Sequence, residues 1–174
     1  MASRSSKVRR LALLFAAVTA TLMVGAAPGT AGAANDGDTA TAREFFALLS
    51  SMDVEGWAGL WADDGRIIVP YPPEGFPATI DGKTEIVSGF RDLFDNFERF
   101  STTLTGVYPA ADSDAVTVEY LVDAQLRSGA RYTNDNIAVF RFRGGKITEY
   151  HDYFDPRRFQ VVVDALPAAS ESDR

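Results

Sequence analysis

Cysteine is absent from this chain and histidine nearly so. None of its 174 residues is cysteine, and His151 is its only histidine. A disulfide framework, a thiol nucleophile and a thiolate metal site are therefore excluded, and so is a histidine-rich metal centre. Positive charge is also short: 17 Lys and Arg stand against 24 Asp and Glu, for a formal charge of −7. A chain this acidic repels nucleic acid and anionic lipid, so neither is expected as a partner. What the chain does have is apolar material. Hydrophobic residues make up 46% of it, enough to build one core without covalent staples.

The first 33 residues read as a secretory signal peptide. Arg4, Lys7, Arg9 and Arg10 form a basic start, and Leu11 to Gly25 is apolar but short for a bilayer span. Ala31-Gly32-Ala33 fits the small-residue cleavage rule. An uncleaved anchor is the alternative. With no cysteine after the apolar run, a lipoprotein anchor is excluded. Removing those four cations takes the formal charge from −7 to −11. The mature protein is then expected outside the cytoplasm and free of the membrane.

The remaining boundaries are a flexible start at 34–38, a single domain at 39–165 and a disordered tail at 166–174. Phe45, Leu48, Leu49 and Met52 recur at helical spacing. Asp53 can cap a second short helix, on which Trp57, Leu60 and Trp61 share a face. Asp64-Gly65 reads as a turn into a short strand at 66–69. Residues 70–82, PYPPEGFPATIDG, hold four prolines and two glycines and read as an ordered loop. A helix follows from Lys83 to about Asn96, with Ile86, Phe90, Leu93, Phe94 and Phe97 on its stripe. Four strands come next, at 100–108, 115–127, 131–143 and 146–154. Ser128-Gly129 and Gly144-Gly145 supply hairpin turns. Asp155-Pro156 then opens a last helix at 157–165. Helices first and an antiparallel sheet afterwards make an α+β domain.

Alternation along the strands sorts the polar residues by face. His151 and Asp152 point to opposite sides of one strand, so they form neither a dyad nor, with Asp155, a metal site. Asp152 shares its face with Tyr150 and Phe154. On the strand before it, Tyr132, Asn134, Asn136, Ala138, Phe140 and Phe142 share a face that is polar at one end and apolar at the other. Such a face suits the wall of a pocket for a mostly apolar small molecule, or the rim of an amphipathic sheet. Trp57 and Trp61 read first as core anchors and second as ligand contacts, with Phe90 beside them. Tyr71 and Phe76 fit either a pocket lip or a plain loop.

Two stretches, DGRIIVPYPPEGFPATIDGKTEIVSGF and NDNIAVFRFRGGKITEYHDYFDPRRF, resemble the SnoaL-like and phenazine-biosynthesis A/B-like proteins of the nuclear-transport-factor-2-like superfamily. The resemblance spans about Thr39 to Val163. It implies a cone-shaped α+β barrel, with helices closing a deep pocket over a curved sheet, and a homodimer. It also implies a pocket carboxylate at Asp152 and a pocket tyrosine at Tyr132. Two departures stand out. The helix 83–96 has no counterpart to the catalytic histidine of the phenazine proteins. The Arg-x-Asp element of limonene epoxide hydrolase is replaced by Glu119-Tyr120-Leu121 or Leu121-Val122-Asp123.

Two functions fit these residues. One is an acid/base enzyme of isomerase, cyclase or lyase type, working on a hydrophobic metabolite. Asp152 would move the proton, Tyr132 and Asn134 would assist, and no cofactor is expected. A carboxylate buried among aromatics has the raised pKa such work needs. The other is an exported binding or accessory protein with no chemistry.

Overall fold

The structure, a computed structural model, describes residues 30–166, with side chains from residue 36 onward. Most of the expected signal peptide (residues 1–29) and most of the expected tail (residues 167–174) lie outside the described residues.

Helix α1 (Thr30–Ser51) leads into the short α2 (Val54–Ala58), which Asp53 caps by accepting a hydrogen bond from the Gly56 amide at 2.9 Å. The remaining elements are β1 (Trp61–Ile68), β2 (Thr79–Asp81), α3 (Lys83–Phe94), β3 (Phe97–Pro109), β4 (Ala115–Leu126), β5 (Arg131–Arg143), β6 (Lys146–Tyr153) and α4 (Pro156–Val163). The six strands form one curved, unclosed sheet in the order β2-β1-β6-β5-β4-β3. Only β1 and β6 pair in parallel; every other pair is antiparallel. The β4–β5 turn has Gly129 at φ 88°, and the β5–β6 turn has Gly144 and Gly145 at 60° and 73°. These left-handed angles strain any residue with a Cβ, which is why glycine marks both hairpins.

The helices cover the concave face, where α1 lies on β3 and β4, α3 on β1, and α4 on β5. Burial along β5 alternates strictly, with Tyr132, Asn134, Asn136, Ala138, Phe140 and Phe142 inward. Phe45 and Phe46 of α1 meet that face, with ring centroids 5.0 and 5.8 Å from Phe140. Closely packed rings of this kind fix the helix against the sheet by area burial and edge-to-face contact.

Phe97 opens β3 rather than lying on the stripe of α3, which ends at Phe94, and three further boundaries differ from the sequence reading. Residues 34–38 are helical, since α1 begins at Thr30 rather than after a flexible start. Trp61 opens β1 instead of ending α2, and Asp64-Gly65 lies inside that strand. The cause is distant in sequence: β6 captures the segment, with Ile147 N donating to Leu60 O at 2.9 Å. A register shift between Trp61 and Arg66 absorbs the extra residues. Third, Thr79–Ile80–Asp81, within the proline-rich loop, pairs with Arg66–Ile68 as β2. Tertiary pairing here outweighs local composition.

Candidate functional site

Three adjacent strands bring one polar cluster together. Tyr120 of β4 stands directly opposite Asn136 of β5, and Asp152 of β6 stands opposite Ala138. Ala138 has only a methyl group, which leaves room beside the Asp152 carboxylate. Tyr120 Oη donates to Asp152 Oδ1 at 2.8 Å. Asn136 Nδ2 donates to the same Tyr120 oxygen at 3.0 Å, and the Tyr150 hydroxyl lies 3.1 Å from it. A phenol has one proton. Because Tyr120 gives its proton to Asp152, its oxygen accepts from its other neighbours, and Tyr150 has both that oxygen and the Asp152 carboxylate within reach of its own proton.

This cluster forms the polar part of a small cavity whose walls are otherwise mostly apolar, with Phe76, Phe90, Phe154 and Phe159 among them. Asp152 keeps some surface toward the cavity, but protein surrounds its carboxyl group. Desolvation raises its pKa from the usual carboxylate range to about 7, against a smaller opposing pull from the Tyr120 and Tyr150 hydroxyls. The tyrosines are pushed up as well, Tyr120 and Tyr150 well above their usual value, mainly by desolvation and then by the nearby Asp152 charge. Both therefore stay protonated while Asp152 titrates near neutrality.

Asn134 has a different job. Its Nδ2 donates to Tyr132 Oη at 3.1 Å and to Asp155 O at 3.0 Å, while its Oδ1 accepts from the Asp135 and Asp155 amides. The side chain is saturated, so it does not contact a ligand as its place in the sequence suggests. It holds Tyr132 and the start of α4 in place. Tyr132 lines the cavity and accepts from Asn134, which leaves its own proton free to be donated into the cavity.

The other expected contacts divide clearly. Tyr132, Asn136, Phe76, Phe90, Tyr150, Asp152 and Phe154 line the cavity. Trp57, Trp61 and Phe140 do not. All three are core residues, with Trp57 fully buried and packed 4.4 Å from Phe90, ring to ring. The indoles cannot face the cavity because α2 and the start of β1 turn them into the aromatic layer beneath α1. Tyr71 is 67% exposed and meets Tyr153 on the outside. His151 also sits on the outer face, with Nε2 3.3 Å from Glu149 Oε2. Tyr120 is the residue sequence reasoning missed. Its signal is a lone tyrosine in the inward row Val116, Val118, Tyr120, Val122, Ala124, Leu126.

Two measurements bound the chemistry. The cavity holds about 70 Å³ of space, against roughly 300–1,000 Å³ for sites that take drug-sized ligands. As it stands it admits a compact molecule, and a polycyclic guest does not fit. A larger hollow of about 810 Å³ lies outside the barrel, by the β5–β6 turn. It is open to solvent and lined by charges that are already paired, such as Arg143 with Asp64 and Arg141 with Glu149. Burial, and then the nearby Asp114, raise the pKa of Asp38 on its wall, but it is the smaller cavity that sets a desolvated carboxylate among hydroxyl donors. Among the described residues, no three acidic or histidine side chains converge as metal ligands would.

The helix-covered, curved and unclosed sheet is the fold of the nuclear-transport-factor-2-like class. The chain belongs to the SnoaL-like domain family, which matches residues 42–150. It is 34% identical over 117 residues to the uncharacterised protein YesE of Bacillus subtilis, covering 67% of this chain and 80% of that one. It is 30% identical over 125 residues to a PhzA/B-like protein of Pseudomonas aeruginosa, covering 71% and 88%. A crystal structure of a Bacillus subtilis protein provisionally called an isomerase superposes with a TM-score of 0.68 at 29% identity, covering 77% and 99%.

Proposed function

We propose that the protein is a cofactor-independent acid/base enzyme that moves a proton on a compact, mostly apolar carbonyl compound. The observation that carries this reading is the Asp152 carboxyl, desolvated inside the cavity with its pKa raised to about 7. Such a group is half ionised at neutral pH and exchanges protons in either direction.

The step follows from the donors available. Asp152, as carboxylate, takes a proton from the carbon next to the carbonyl. The C–H electron pair becomes the C=C of an enolate, and the negative charge moves to the carbonyl oxygen. Tyr132 is the group with a free proton to hydrogen-bond that oxygen. Preorganised donors at a developing oxyanion account for much of the rate in such reactions. Asp152 then returns the proton, to the same carbon or to another. The relative provisionally called an isomerase supports this class of chemistry.

The test is deuterium exchange. Wild-type protein in D2O should incorporate deuterium at the α-carbons of butan-2-one faster than buffer does, with a rate that rises as pH passes about 7. Asp152→Asn should fall to the buffer rate while still folding. An Asp152→Asn protein as active as wild type would overturn the reading.

Two further properties belong to the same proposal. The basic and apolar N-terminal segment supports export, which the N-terminal sequence of protein recovered from the medium would test. Exposed Leu121, Ile137 and Tyr153 on the outer sheet face support a homodimer, which sedimentation would test.

A further inference from the structure

Helix α4 contributes one side chain to the cavity wall, Phe159. Three other wall rings converge on it from separate stretches of the chain. Phe154 lies 4.9 Å away between centroids, Phe76 5.3 Å and Tyr132 5.4 Å. Phe76, Phe154 and Phe159 are only partly buried, whereas Tyr132 and the tyrosines of the polar cluster are buried. Phe159 thus fills the space between the oxyanion donor and the solvent edge of the cavity.

The ring has little freedom to retreat, because α4 is held at both ends. At its start, Asn134 Nδ2 donates to Asp155 O at 3.0 Å, and Asn134 Oδ1 accepts from the Asp155 amide at 3.3 Å. Asp155 in turn caps the helix by accepting from the Arg157 amide at 2.9 Å. At the far end Val162 is fully buried in the core. Asn134 also holds Tyr132, so one side chain fixes both the helix that carries Phe159 and the hydroxyl that meets the carbonyl oxygen. The Phe159 and Tyr132 rings meet edge to face at 88°. Rings in such contact leave no space for ligand atoms between them.

We infer that Phe159 is the specificity-determining residue of the cavity, limiting its guest to a short carbonyl compound by filling the place that the longer arm of a larger ketone would take. The reaction undergone by that guest rests on the acid/base reading, while the size limit rests on packing alone. Two ketones that share one head separate the cases. Butan-2-one ends at its fourth carbon, and 4-phenylbutan-2-one carries a phenyl ring there. In wild type the place for that ring is occupied by Phe159. In Phe159→Ala the guest's own ring replaces the lost one among Phe76, Phe154 and Tyr132.

The experiment titrates both ketones into wild type and Phe159→Ala, followed by NMR at the amides of β5 and α4. The variant should bind 4-phenylbutan-2-one about tenfold more tightly than wild type does, the low end of what burying a phenyl group is worth, because the site is only partly buried. Its affinity for butan-2-one should stay close to that of wild type. Phe159→Leu keeps more of the packing; it should gain in the same direction by a smaller factor, and it decides the matter if the alanine variant does not fold. Variants that bind 4-phenylbutan-2-one no better than wild type overturn the inference. So do variants that tighten on both ketones equally, which is general loosening and not a size limit. Failure here is separable from failure of the acid/base reading. A wild type that exchanges deuterium into butan-2-one, with no gain for the larger ketone in the variants, keeps that reading and loses this one. A variant that gains the larger ketone but exchanges no deuterium into either does the reverse.

Discussion

Replacing Asp152 by Asn should change how stability depends on pH, with a sign opposite to that of an ordinary acidic residue. The folded-state pKa is about 7 against 3.8 for the free group. Below pH 3.8 the carboxyl is neutral in both folded and unfolded chains and contributes nothing. Between the two values the unfolded chain releases a proton that the folded chain keeps. Stability therefore falls as pH rises, by about 1.4 kcal/mol per unit, and the whole penalty is present above pH 7. The gap of about three units amounts to roughly 4 kcal/mol. Asparagine carries no such penalty and can still accept from Tyr120. Its amide needs a partner the carboxylate did not need, which gives back about 1–2 kcal/mol. Asp152→Asn should therefore be about 2–3 kcal/mol more stable than wild type at pH 8, and equal or less stable at pH 4. Urea denaturation of both proteins at intervals from pH 4 to pH 8 measures this. The difference between them isolates Asp152, because exposed acids such as Asp64 and Asp123, whose pKa values Arg143 and Arg131 lower, are common to both. A difference that stays flat across the range would refute the desolvated carboxylate, and with it the acid/base reading.

Other substitutions probe the cluster and the scaffold. Tyr120→Phe removes a hydrogen bond that favours the charged carboxylate, so the Asp152 pKa should rise further above about 7. Carbon-detected NMR titration would show it, and an unchanged pKa would mean that Tyr120 does not hold Oδ1. Asn134→Ala strips partners from Tyr132 and from the Asp155 backbone, and should cost about 2–3 kcal/mol in urea denaturation. It should also slow deuterium exchange more than it weakens ketone binding, because Tyr132 loses its orientation rather than its proton. Gly65→Ala should cost about 1–3 kcal/mol. A Cβ there would meet Trp61 Cε3 at 2.7 Å and Ala62 O at 3.0 Å, and the Trp61 ring is buried and cannot easily give way. An alanine variant that melts with wild type would show that the bulge can shift.

Much of this fold is local information. The period-two pattern from Arg131 to Arg143 is enough to assign the inward row from Tyr132 to Phe142, because adjacent side chains on a strand must face opposite ways. Paired turn residues, Ser128-Gly129 and Gly144-Gly145, place both hairpins. The same rule separates His151 from Asp152 and singles out the carboxylate. Alternation names a face, however, and does not name a neighbour across the sheet. Tyr120 meets Asp152 only because β4 and β6 flank β5 in a register that sets Tyr120 against Asn136 and Ala138 against Asp152. Capture of residues 61–68 by β6 likewise turned Trp61 from a helix face into a strand, while both indoles stay in the core, the first of their two readings. The saturation of Asn134 and the raised pKa of Asp152 depend on which groups lie within about 3 Å of one another. Strand alternation alone was enough to name the inward residues and the acid to watch. Which of them touch, and which proton remains free, was decided by tertiary structure, because hydrogen-bond partners and desolvation are set by atoms far apart along the chain.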